Sequence, residues 1–202
     1  MKTSMKTISK RIFDLIIIAL ASPFLVTLFL AIAPISFIIQ GSPVIFSQRR
    51  PGKDEKLFTL YKFRTMEITH SNEVDDTSKR ITGLGQFLRK TSLDELPSIL
   101  NVVKGEMSLV GPRPLLPEYL NRYDDFQRRR HEVLPGITGL AQISGRNAIS
   151  WEEKFKYDVD YVENNSLFID IYIIFQTIMT IFSSKDINHE EGKTMPIFKQ
   201  KK

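Results

Sequence analysis

The chain has no cysteine. This excludes disulfides, thiolate nucleophiles and thiolate metal sites, and it suits a reducing compartment. Histidine is nearly as scarce: His70, His131 and His189 lie far apart with no ligand spacing, which argues against a zinc site. Residues 15–48 carry no charge of either sign, and 15–39 are almost wholly apolar. Internal repeats are absent, and the only biased tract is the basic tail Lys199-Gln200-Lys201-Lys202. The remaining composition is ordinary. With 202 residues, 42% hydrophobic and 25% charged, the chain suits one principal folded domain rather than a disordered one.

The net charge is +5 and the pI about 9.3. Nucleic acid is one class of partner for such a surplus, and anionic lipid headgroups are another. No nucleic-acid-binding motif is present, aromatics are not interleaved with the basic clusters, and the charges flank the apolar segment. A membrane surface is therefore the expected partner, with no nucleic acid.

Lys2, Lys6, Lys10 and Arg11 could form the basic region of a signal peptide. The apolar run is too long for one and lacks a clear cleavage site, so it is expected to be retained. A straight span needs about 20 residues; this stretch, as helix, would run to roughly 50 Å. It contains Ser22-Pro23 and Pro34, and proline removes an intrahelical hydrogen bond and kinks a helix. A neighbouring serine such as Ser22 can take up a carbonyl freed in this way. Arg49, Arg50 and Lys53 follow the segment, so positive charge pulls both of its ends towards the cytoplasm. A single-pass anchor cannot satisfy both ends. A helix that enters, breaks at Ser22-Pro23 and returns can.

Beyond residue 43, Val44-Ile45-Phe46 and Leu57-Phe58-Thr59-Leu60-Tyr61 flank the turn signal Pro51-Gly52-Lys53-Asp54, which predicts a β-hairpin. Residues 67–80 form a polar loop. Helical periodicity covers 84–88 and 93–103, with Gly105 as a stop. Three prolines make 108–117 extended. A polar helix carrying Arg128-Arg129-Arg130 is expected over 118–133, and further helices over 151–162 and 167–182. The last has one charge, Asp170, and suits either a core helix or an interfacial one with Phe168, Tyr172 and Phe175 at headgroup level. Glycines in Pro135-Gly136-Ile137-Thr138-Gly139-Leu140 and Ser144-Gly145-Arg146-Asn147 suggest turns where backbone approaches a ligand. The expected fold is α+β, mainly α. It comprises a re-entrant membrane helix within 1–43, a cytoplasmic domain over 44–183 with a short hairpin and interfacial amphipathic helices, and a tail over 184–202.

Asp94-Glu95 is the chemically most suggestive pair. Ser92-Leu93-Asp94-Glu95 matches a capping box, so a helix start explains the acids without catalysis. The same position stabilises a carboxylate as an anionic nucleophile and offers amides to a phosphate. Arg89, Arg113, Arg146 and Lys62 are candidate partners for a diphosphate, since guanidinium forks match phosphate oxygens.

The chain resembles the monotopic phosphoglycosyl transferases, the bacterial sugar transferase family. The matching elements are Lys10-Arg11-Ile12-Phe13-Asp14, Ser22-Pro23, Gln48-Arg49-Arg50-Pro51-Gly52, Tyr61-Lys62-Phe63-Arg64-Thr65-Met66 and Leu93-Asp94-Glu95-Leu96-Pro97. They continue with Lys104-Gly105-Glu106-Met107-Ser108-Leu109-Val110-Gly111-Pro112-Arg113-Pro114, Pro135-Gly136-Ile137-Thr138-Gly139-Leu140-Ala141-Gln142 and Gly145-Arg146-Asn147. The short length and Asn147-Ala148-Ile149-Ser150-Trp151 resemble small members that begin protein N-glycan assembly with a diacetylated bacillosamine phosphate. The resemblance implies transfer of a sugar 1-phosphate from a UDP-sugar to polyprenyl (undecaprenyl) phosphate at the cytoplasmic face of the bacterial inner membrane. It implies a ping-pong reaction in which Asp94 becomes an aspartyl phosphosugar, with Glu95 as the second member of the dyad. Magnesium is the implied cofactor, with Asp94 as its protein ligand. The alternative from another class is a non-catalytic membrane-anchored scaffold in which the acids only start a helix.

Overall fold

The computed structural model describes residues 2–68, 80–145, 149–183 and 198. Seven helices and four strands appear among them. In chain order they are α1 (Lys2–Gln40), β1 (Ile45–Pro51), β2 (Leu57–Phe63), α2 (Gly83–Lys90), α3 (Ile99–Lys104), β3 (Ser108–Val110), α4 (Asp125–Arg128), β4 (Gly136–Thr138), α5 (Leu140–Ile143), α6 (Trp151–Asn164) and α7 (Leu167–Ser183). The chain is mainly helical with two small sheets, as the α+β, mainly α expectation requires.

Within α1, Thr7–Gln40 is long and apolar enough to cross a membrane. Lys2–Gln40 is one helix with Pro23 and Pro34 inside it, so a bend at Ser22-Pro23 would not interrupt its helical backbone. Part of the reason is local. Pro23 has no N–H to offer Ala19, four residues back, and Ser22 Oγ donates to that carbonyl at 2.7 Å instead. Much of the outer face of α1 is bare hydrocarbon: Leu20, Phe24 and Leu30 are each about two-thirds or more exposed. The inner face belongs to the globular core. Ile18 packs on Phe58, Leu60, Val102 and Met107, while Leu28, Phe29, Ile32 and Ala33 pack with Phe63 and Leu88.

Polar contacts fix both halves of α1. Lys10 Nζ lies 2.7 Å from Asp170 of α7, and Ser108 Oγ of β3 donates to Asp14 at 2.7 Å. Arg11 donates to Val102 O, which also accepts from Gly105 N, and at 2.7 Å to Val103 O, and so docks on the last carbonyls of α3. At the other end Arg64 donates to Gln40 O and, at 2.9 Å, to Gly41 O.

The predicted hairpin is present. β1 and β2 pair antiparallel, with Gln48 opposite Leu60 and Arg50 opposite Phe58, so Gln48, Arg50, Leu60 and Lys62 share a face. Buried Asn101 ties α3 to β2: its Nδ2 donates to Thr59 O at 2.7 Å and its Oδ1 accepts from Tyr61 N at 3.3 Å. Gly105 ends α3 at φ 83°, the left-handed conformation expected of a helix stop. The polar loop over 67–80 falls largely on residues 69–79, outside those described; its ends meet where Met66 bridges Ile81.

Two features depart from or add to the sequence reading. Over 118–133 the structure has a 3₁₀ turn (Pro117–Arg122), then α4, then a second 3₁₀ turn (Arg129–Glu132). The break occurs because Asp124 starts a fresh capping box with Gln127, while Tyr119 and Tyr123 turn inward against Phe155 and Phe198. The second is a parallel pair, β3 with β4, in which Ser108 aligns with Gly136 and the start of the extended 108–117 segment gains a partner. A Cβ on Gly136 would lie 2.1 Å from Gly111 N and 2.3 Å from Thr138 O, and neither backbone atom can step aside. Gly136→Ala is therefore expected to lower stability by about 3 kcal/mol, checked by thermal denaturation; an unchanged melting temperature would contradict this packing.

The helix α7 is two-faced. Asp170 and Ile173 are fully buried, with Asp170 accepting from Tyr161 OH at 2.7 Å, whereas Phe168, Tyr172 and Phe175 are exposed. Beyond α7, Phe198 alone is described, seated among Tyr119, Tyr123, Trp151 and Phe155.

Candidate active site

Asp94 and Glu95 lie in a 3₁₀ turn, Leu93–Ser98, that runs directly into α3. The capping box expected of Ser92 and Glu95 does not form. Ser92 sits at φ 58° in the left-handed region and its side chain caps nothing. Glu95 is drawn away by tertiary partners: Lys62 Nζ and Arg113 Nη2 each lie 2.6 Å from its Oε1. Ser98 Oγ donates to Tyr61 O at 2.7 Å, and so holds this turn against β2 one residue from Lys62.

Asp94 stands differently. Among the described residues it makes no hydrogen bond, and its ion-pair partner is Lys62 Nζ, 4.0 Å from Oδ2. Burial pushes its carboxyl above the ordinary range and the neighbouring Glu95 adds to this, while Lys62, Arg113 and Arg89 oppose it. The expectation that a helix N-terminus alone keeps Asp94 anionic is thus replaced by a balance of burial against three cations. Burial also works against ionised Glu95, but Arg113 and Lys62 win and hold it at about 2. One acid is locked as an anion in a double ion pair; the other keeps its oxygens available.

Of the candidate site residues, Lys62 and Arg113 converge on the dyad. Arg89 stands beside it: its Nε donates to Thr65 Oγ1 at 2.9 Å and its charge favours ionised Asp94. Arg146 lies outside the described residues. Ser22 and Pro23 are in α1, where Ser22 holds the carbonyl that Pro23 frees.

Sequence reasoning missed Arg50 as a site residue. It lines a small pocket together with Lys62, Glu95, Ser98, Arg113 and Gly136. Its Nη2 donates to Gln48 Oε1 at 2.7 Å and its Nη1 to Pro114 O at 3.3 Å. The run Gln48-Arg49-Arg50 carried the signal, but only the hairpin register separates Arg50 from Arg49. Cβ atoms at Gly136 and Gly139 would strike the backbone of Gly111, so these glycines admit neighbouring backbone, and Gly136 also lines the pocket.

Asp94 fits a hard divalent cation as an oxygen donor, whereas Glu95 is already taken by two cations. Among the described residues no cluster of three or more His, Asp or Glu is placed to hold a metal unaided. Magnesium commonly needs only one or two carboxylates, with water and phosphate completing its shell.

Comparison with known proteins gives this geometry a context. The family model for bacterial sugar transferases matches residues 5–184. The chain is 50% identical over 195 residues to the uncharacterized sugar transferase EpsL of Bacillus subtilis, covering 95% of this chain and 96% of that protein. It is 39% identical over 196 residues to the undecaprenyl-phosphate galactose phosphotransferase of Salmonella typhimurium, covering 85% of this chain and 40% of that protein. It is 38% identical over 184 residues to the UDP-N-acetylgalactosamine-undecaprenyl-phosphate N-acetylgalactosaminephosphotransferase of Aeromonas hydrophila, covering 86% of this chain and 44% of that protein. The chain thus spans less than half the length of these last two relatives.

Proposed function

The chain belongs to the bacterial sugar transferase family and is a transferase of the phosphoglycosyl type, and on that premise we propose that it moves a sugar 1-phosphate from a UDP-sugar to polyprenyl phosphate, releasing UMP. The observation that carries this reading is the asymmetry of the dyad, with Glu95 locked and Asp94 uncommitted. Family membership sets aside the scaffold alternative. Charge supports the donor class: Lys62, Arg89 and Arg113 act on the two acids and Arg50 lines the same pocket, an array of cations suited to a diphosphodiester.

In the first half-reaction an Asp94 carboxylate oxygen attacks the β-phosphorus. The bond from that phosphorus to the bridging oxygen breaks, the oxygen leaves with UMP, and the sugar phosphate stays on Asp94. In the second, an oxygen of polyprenyl phosphate attacks the same phosphorus and displaces the Asp94 carboxylate, giving polyprenyl diphosphosugar. A phosphate nucleophile is already largely anionic near neutral pH. Glu95, held at about 2, is unsuited to accept a proton there and instead fixes Lys62 and Arg113. Those two cations, with Arg89 and Arg50, neutralise charge that builds on the phosphoryl oxygens. Magnesium bound at Asp94 would supply Lewis-acid neutralisation of the diphosphate.

Re-entry of α1 is part of the same reading. Lys10, Arg11 and Asp14 near one end, and Gln40 at the other, all bind one globular domain, which supports both ends lying on the same side of the bilayer. Positive charge at both ends supports the cytoplasmic side. The exposed Leu100 and Val103 of α3, with Phe168, Tyr172 and Phe175 of α7, suit a headgroup-level surface. Single cysteines at Lys2 and Lys202 are expected to react with an impermeant reagent from the same face; reaction from opposite faces would sink re-entry.

The function is tested by UMP release with polyprenyl phosphate and magnesium. The donor panel comprises UDP-galactose, UDP-N-acetylgalactosamine, UDP-glucose and the UDP derivative of diacetylated bacillosamine. Release with one of these, dependent on the acceptor, is the expected result. No release with any of them overturns the proposal.

A further inference from the structure

The run Arg128-Arg129-Arg130 is chemically uniform in sequence, yet its three members meet different fates. Arg128 pairs with Glu55 at 2.6 Å, and Arg129 with Glu132 and Glu163 at 3.2 and 2.6 Å, all at the surface. Arg130 is 3% exposed and Asp158 4%. Its guanidinium spreads three ways: Nε and Nη2 to Asp158 Oδ2 at 3.0 and 2.8 Å, Nη1 to Tyr123 OH at 3.2 Å, and Nη2 to Arg113 O at 2.6 Å. The rings of Tyr123 and Phe155 flank it, with centroids 5.8 and 5.6 Å away.

A buried ion pair is poor value as a stability device, because desolvation offsets most of its attraction. This one delivers a hydrogen-bond donor to the main chain of a site residue. Arg113 stands between Pro112 and Pro114, whose rings fix their own φ angles. Arg130 clamps the carbonyl of Arg113, and Arg50 clamps the next carbonyl, that of Pro114, at 3.3 Å. With both carbonyls held, the direction in which the Arg113 side chain leaves the backbone is set, and its Nη2 reaches Glu95 at 2.6 Å. Asp158 neutralises Arg130, so the clamp adds little uncompensated positive charge behind Arg113.

We propose that Arg130, anchored by Asp158, is a positioning residue that aims Arg113 at the dyad and at the donor diphosphate. The inference rests on the function proposed above, in which Arg113 binds that diphosphate. A lysine in its place could keep the charge pair with Asp158 but has no rigid fork to reach Tyr123 and Arg113 as well.

The test is a double-mutant cycle between Arg130→Lys and Arg113→Ala. It is read by calorimetric binding of magnesium–UDP and by UMP release with the best donor of the panel. Arg130→Lys is expected to weaken UDP binding about tenfold and slow UMP release similarly, with the KM for polyprenyl phosphate unchanged. In the Arg113→Ala background it should add less than about twofold, because a residue acting through Arg113 has nothing left to act on. Asp158→Asn, which keeps an acceptor oxygen for Arg130, should give a smaller effect with the same non-additivity. It also serves if Arg130→Lys does not fold. Native-like binding and turnover in the folded variant, or effects that multiply with Arg113→Ala, would overturn the positioning role. A native protein that neither binds magnesium–UDP nor turns over any donor would instead remove the proposed function and this inference with it.

Discussion

Asp94→Asn is expected to abolish UMP release, by at least about 10³-fold, without loss of stability. The amide keeps the shape of the side chain but offers no anionic oxygen to form the acyl phosphate, so neither half-reaction has its intermediate. Stability should hold because Asp94 makes no hydrogen bond among the described residues, and its charge sits beside another carboxylate under conditions that push its own carboxyl up. Removing that charge relieves crowding, so the melting temperature should stay level or rise. With a donor labelled at the β-phosphate, native protein quenched before acceptor is added should retain label after denaturation, and the variant should retain none. Label in the variant, or activity above a tenth of native, would exclude Asp94 as the nucleophile.

Lys62→Met is expected to be nearly as severe, slowing turnover by about 10²- to 10³-fold, but with a stability cost that Asp94→Asn lacks. Lys62 reaches both acids, 2.6 Å from Glu95 and 4.0 Å from Asp94. Methionine keeps the stem and drops the charge, leaving two adjacent carboxylates with Arg113 as their remaining close cation. The sharper version pairs the change with Glu95→Gln. If Lys62 both balances Glu95 and serves the phosphoryl group, Lys62→Met/Glu95→Gln should recover melting temperature but not turnover. Recovery of both would reduce Lys62 to a counter-ion for Glu95.

The contrast between these variants reflects what local sequence can and cannot encode. The hairpin was legible because alternation and a Pro-Gly turn lie within a single span of residues. The acidic pair was legible as a pair, since an N-terminal turn and a run of apolar residues follow it directly. Its division of labour was not. Ser92 and Glu95 satisfy a capping pattern, but Lys62 from β2 and Arg113 from beyond β3 compete for Glu95 and win, because two full cations replace a single backbone N–H. The β3–β4 pair escaped for a related reason. Each strand has three residues, and the aligned Ser108 and Gly136 are far apart in sequence, so neither carries a periodicity of its own. Arg50 and Arg130 hid among identical neighbours, and only register and burial tell them from Arg49 and Arg129.

Ile18 and Ile32 of α1 lie in two separate parts of the core, while Leu20, Phe24 and Leu30 between them are bare. In the re-entrant reading proposed above, the segment that meets lipid is therefore also a structural wall of the catalytic domain. Lipid then behaves as a ligand of the native state, raising the free energy of unfolding in proportion to how much better it solvates folded than unfolded chain. In that reading, stripping lipid should shift denaturation and inactivation together, since the helix cannot leave the bilayer without opening the protein's own interior.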